Sequence, residues 1–74
     1  MKYPDGSTIE AGDIVQIDGI YRGKVIASMD TGSYLPGEEG WAYLEAGIMV
    51  DTDFAGKVHY TENATDGLAL IRRA

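Results

Sequence analysis

The sequence predicts an all-β chain: five short strands in a small barrel or sandwich. A long loop or short helical turn joins the second and third strands. Three observations predict this. Five short runs alternate apolar and polar residues with a period of two, the spacing of a strand with one buried face. Ten glycines are spread along the 74 residues, so every run between them is short. Nowhere do apolar residues recur at helical spacing for more than about two turns. Short alternating runs with turn signals between them mark small all-β folds.

The elements follow in order. "PDG" (Pro4 to Gly6) is a turn, because proline presets φ and glycine accepts a positive one. In "DIVQID", Val15 and Ile17 share one face and Ile14 and Gln16 the other. Gly12 and Gly19 bracket this first strand. The second strand is "YRGKVIASM", with Val25, Ala27 and Met29 alternating with Lys24, Ile26 and Ser28, and Gly23 marking a bulge or bend where it begins. In "GIMVDTD", Ile48 and Val50 face one way and Met49 and Asp51 the other. Gly56 turns the chain into "KVHY", where Val58 and Tyr60 oppose Lys57 and His59. "LALIRR" is the fifth strand, and its Arg72–Arg73 pair is expected to offset nearby acids or stay solvated. The best helical candidate is "EEGWAYLEA", which Gly40 and Gly47 limit to about two turns. Val15, Ile17, Val25, Ala27, Trp41, Leu44, Val50, Val58 and Leu70 are the expected core.

"GDIVQIDGIYRGKVIASMD" (Gly12 to Asp30) resembles the KOW-type opening of SH3-like barrels. Gly12, Asp13, Val15, Ile17, Gly23, Val25 and Ala27 match that pattern of strand, turn, glycine and second alternating strand. The resemblance covers the first third of the chain and implies a five-stranded SH3-like barrel over residues 1–74. KOW proteins contact RNA through basic surfaces. Here only Arg22 and Lys24 are basic near the motif, and the chain holds 12 acids against 6 lysines and arginines. The resemblance therefore supports the fold more than an RNA role.

Charge narrows function further. The formal net charge is −6. Residues 30–66 carry eight acids and only Lys57, a balance of 1 − 8 = −7. Such a field repels phosphate backbones and attracts basic partners. No cysteine is present, and there is a single histidine, so neither a disulfide nor a zinc site is expected. No cofactor is implied. The first residues lack the apolar core of a signal peptide, and no apolar run approaches the ~20 residues of a membrane span. A soluble, cytoplasmic protein is expected.

Four constellations suggest chemistry. Asp51, Asp53, Gly56, Val58 and Glu62 imitate a calcium loop, but Ala55 stands where an oxygen is needed and no helices flank it. A β-hairpin is the simpler expectation. His59 with Asp51 or Asp53, and Ser28 or Ser33, suggests a hydrolytic set, yet no nucleophile elbow holds either serine. No catalytic residue and no metal site is assigned. "NAT" (Asn63 to Thr65) matches a glycosylation sequon and is expected to be a polar turn.

The fourth is "SMDTGSYLPGEEGWAYLEAG" (Ser28 to Gly47), which concentrates aromatics and acids. Trp41 and Leu44 are expected inside. Asp30, Tyr34, Glu38, Glu39, Tyr43 and Glu45 are expected to form an outward face for a basic protein partner. Glu38 and Glu39 are expected to be solvated. The functional expectation is a non-enzymatic binding module, such as an immunity or inhibitor protein acting on a basic toxin or enzyme. The alternative is a nucleic-acid or ribosome-associated KOW-like domain.

Overall fold

In the computed structural model, residues 1–61 and 67–73 are described. The chain is all-β. Its strands are β1 (Ile14–Ile17), β2 (Tyr21–Ser28), β3 (Ser33–Tyr34), β4 (Ile48–Thr52), β5 (Gly56–Tyr60) and β6 (Leu68–Arg72), and a 3₁₀ turn spans Glu39–Leu44. They form one antiparallel sheet in the order β5-β4-β2-β1-β6, with β3 added to β2. The five runs read from the sequence are five of these strands. The sixth, β3, is two residues long, too short to leave a periodic signal.

β1, β2, β4 and β5 form a meander of successive neighbours, and β6 returns to pair with β1, placing Val15 opposite Leu70 and Ile17 opposite Leu68. Tyr3, Ile9, Val15, Ile17, Val25, Ile48, Val50 and Leu68 are buried in one cluster, with Tyr60 and Leu70 packed against it. Tyr60 belongs to one edge strand, and Leu68 and Leu70 to the other. The sheet therefore curls until both of its edges cover one core.

Two details differ from the alternation in the sequence. Gly23 pairs in regular register with Val15 and Thr52, so no bulge sits there. It is needed for closeness instead, since a Cβ would lie 2.7 Å from Val50 Cγ1. The irregularity falls one turn of pleat later, between Val25 and Ala27. Val25 pairs with Val50 in the first core, whereas Ala27 pairs with Met49 on the opposite face. The bulge at Ile26 thus moves Ala27 off the face it was expected to share with Val25. Val15, Ile17, Val25, Ala27 and Val50 are fully buried, while Val58, Leu70, Trp41 and Leu44 are only half-buried.

The first nine residues, beyond the expected turn, contribute two core side chains that alternation did not reveal. Lys2 bridges to Thr8 around "PDG", placing Tyr3 and Ile9 inward. Asp5 accepts hydrogen bonds from the Ser7 backbone N–H and hydroxyl, which hold its carboxyl below the usual range. Asp13 is 1% exposed. It accepts the Tyr3 hydroxyl at 2.6 Å and the Glu10 N–H at 3.1 Å, with the Arg73 guanidinium 3.8 Å away. Arg73 also bonds Glu10 at 2.7 Å, offsetting acids as expected.

Tyr3 titrates well above the ordinary tyrosine value, first because burial disfavours the phenolate and then through the Asp13 bond and charge. The sign follows. Its contribution to stability is complete below the unfolded value of about 10 and is lost as pH rises above it, where only the unfolded chain readily releases the proton. The melting temperature should fall steeply above about pH 10, and Tyr3→Phe should flatten that fall. Parallel alkaline profiles for the two proteins would refute the assignment.

Candidate functional site

The stretch between β2 and β4 is not a free loop. β3 pairs with Ala27 and Ser28, Leu35 N–H bonds the Ile26 carbonyl, and Met29 N–H bonds the Gly47 carbonyl. Its apolar side chains cover the second face of the sheet. Ile26, Ala27, Met29 and Met49 are buried there, with Tyr34, Leu35, Trp41 and Leu44 against them. This explains why Met49, expected on the face opposite the core, is buried beside Ile48 and Val50. The 3₁₀ turn ends at Glu45, which takes a left-handed φ of 66° and donates its N–H to the Ala42 carbonyl.

Trp41 is held by polar contacts as well as by its half-buried ring. The indole N–H donates to Glu38 Oε1 at 2.8 Å. Lys57, on β5, places its ammonium 5.8 Å from the ring centroid and 3.8 Å from Glu38 Oε1. Gly37, Glu38, Gly40, Trp41, Tyr43 and Lys57 line an open groove of about 350 Å³. Lys57 is the member that the sequence reading missed. The available signal was charge, since it is the single base within residues 30–66.

The six expected site residues divide. Glu39, Tyr43 and Glu45 are exposed, Tyr43 by 72%. Glu39 also caps the Gly37 N–H at 3.1 Å. Asp30 is exposed but occupied, accepting the Met1 amino group at 3.1 Å and the Gly47 N–H at 3.3 Å. Tyr34 is half-buried against the second core, not on the outer face. Glu38 is half-buried and bonded to Trp41, not solvated, so reversing its charge would disturb the aromatic as well as the field. Glu38 and Tyr43 meet in the groove; Glu39 and Glu45 flank them at the ends of the 3₁₀ turn.

The other constellations come apart. "DTDFAG" is the turn of a β4–β5 hairpin, where Thr52 Oγ1 accepts the Ala55 N–H and donates to the Gly56 carbonyl. Asp51 lies opposite Lys57, and His59 lies opposite Met49 with Nε2 2.9 Å from the Ala46 carbonyl. Glu62 and the Asn63–Thr65 sequon lie outside the described residues. Among the described residues, no three histidines, aspartates or glutamates converge on a metal site. Ser28 is fully buried and accepts the Thr31 hydroxyl; Ser33 accepts the Ala11 N–H. Lys24 sits opposite Asp51 across the β2–β4 pair. No helix among the described residues is long and apolar enough to cross a membrane.

The site is thus a pinned acidic face with one aromatic groove. Comparison of the chain with protein-family models, curated proteins and solved structures found no significant match.

Proposed function

We propose that this chain is a non-enzymatic protein-binding module, an SH3-like barrel whose β2–β4 face takes a basic segment of a partner protein. One observation carries the reading. The segment spends its apolar side on the second core, yet leaves Glu39, Tyr43 and Glu45 exposed together on its outer side. An aromatic set among acids on a fixed backbone suits a basic, partly apolar partner. The curl of the sheet over one core supports the barrel. Covering the positive site of a basic toxin or enzyme is the concrete form of this role. The rival RNA role needs a basic stripe, and the Lys24–Asp51 opposition weighs against one around Arg22.

The test uses stopped-flow binding of a lysine- and arginine-rich peptide across a salt series. The double variant Glu39→Lys, Glu45→Lys should associate about tenfold more slowly at low salt, because a reversed field removes electrostatic steering. Its folding stability should fall by about 1 kcal/mol or less, since both side chains are exposed and one hydrogen bond, from the Gly37 N–H to Glu39, is lost. Binding indifferent to salt, or submicromolar RNA affinity at physiological salt, would overturn the reading.

A further inference from the structure

We propose that the groove beside Trp41 receives one arginine side chain of a protein partner, and that Lys57 occupies this place in the free protein. The inference rests on the acidic-face reading and adds the group recognised and the residue that competes for it.

Two features converge on a single cation. Trp41 offers a ring whose orientation is fixed by the 2.8 Å bond from its indole N–H to Glu38. Glu38 offers a carboxylate beside that ring. The cation now shared between them is the Lys57 ammonium, 5.8 Å from the centroid and 3.8 Å from Oε1. Both distances lie at the outer limit of their kind, about 6 Å for a cation over a ring and about 4 Å for an ion pair. Lys57 is also half-exposed. It is a weakly held occupant.

A guanidinium fits the same features better. It is planar, more weakly hydrated than an ammonium, and stacks on an aromatic face while donating in a fork to a carboxylate. The Trp41 and Lys57 contacts of Glu38 both use Oε1, which leaves Oε2 out of either. The groove, at about 350 Å³, has room for one side chain and is open to solvent. Charge favours a cation in the groove, since residues 30–66 carry eight acids against Lys57 alone.

The probe is a peptide of alternating glycine and arginine, with glycine–lysine and glycine–glutamate counterparts. Trp41 is the only tryptophan, so its emission reports the groove directly. Calorimetry reports binding anywhere on the protein. Saturable emission change is expected with the arginine peptide, less affinity for the lysine peptide, and none for the glutamate peptide. Lys57→Met should tighten arginine-peptide binding about two- to fivefold by removing the internal competitor. Arg72→Met removes a charge of the same sign on β6 and should give a smaller gain. Glu38→Gln keeps an acceptor for the indole but loses the charge, and should weaken binding about fivefold. Circular dichroism melts would show that each variant is folded. Calorimetric binding without any change in Trp41 emission, or equal gains from Lys57→Met and Arg72→Met, would overturn the arginine site while leaving the acidic face standing. A lysine peptide that binds more tightly than the arginine one would also overturn it. No binding of either basic peptide at low salt would overturn the acidic-face reading itself.

Discussion

Asp13→Ala is expected to lower folding stability by about 3–5 kcal/mol, the range for removing one partner from a buried charged network. The carboxylate is almost wholly buried and holds together three parts of the chain: Tyr3 from the first hairpin, Glu10 from the link into β1, and Arg73 after β6. Alanine leaves the Tyr3 hydroxyl and the Glu10 N–H without their acceptor, and an unsatisfied buried donor costs about 1–3 kcal/mol. Asp13→Asn retains an acceptor oxygen and should lose less. Urea unfolding of the two variants and of Tyr3→Phe measures this. Since Tyr3 and Asp13 share one bond, the double variant should lose less than the two singles together. An alanine variant with an unchanged midpoint would remove Asp13 from this account.

Gly47→Ala should be comparably damaging for a different reason. Gly47 has φ +89°, a conformation that costs side-chain-bearing residues about 1–3 kcal/mol. An added Cβ would also press on the Tyr60 carbonyl oxygen and lie 2.9 Å from His59 Nε2. Backbone cannot swing aside as a side chain does, so the end of the loop would lift from β5. A loss of about 3 kcal/mol or more is expected, with Trp41 emission shifted to the red as water reaches the second core. Gly37→Ala is the comparison. Its φ is +87°, but its Cβ would meet nothing within 4 Å, so it should lose only the backbone cost. Equal losses at the two positions would refute the close-approach argument.

The legible part of the fold was its local part. Val15, Ile17, Val25 and Val50 were recognisable as buried because a strand's period of two shows in adjacent residues. The bulge at Ile26 was not, because an extra residue in one strand is defined by the partner strand, here Val50 and Met49. Met49 and Trp41 show the same limit. Met49 stands on the outer face of its strand, and only the folding back of residues 29–47 turns that face into a second core. For the site, exposed Glu39, Tyr43 and Glu45 followed from a polar, glycine-bounded segment. Tyr34 and Glu38 were misplaced because their inward roles depend on Ala27 and Trp41. Lys57 was missed because it joins the groove from another strand.

The return of β6 to β1 has a consequence for the order of assembly. β1–β2 and β4–β5 join through short turns and β2 reaches β4 across residues 29–47, whereas Val15 pairs with Leu70 and Ile17 with Leu68, more than 50 residues away. Closing a long loop has an entropic cost that short hairpins escape, so non-local strand pairing is slow. β1 therefore spends the interval before β6 docks with one ladder edge open. An open edge of that kind is where a second chain pairs by mistake. The hazard in making this protein lies in that waiting time, and the docking rate of Leu68–Arg72 sets its length.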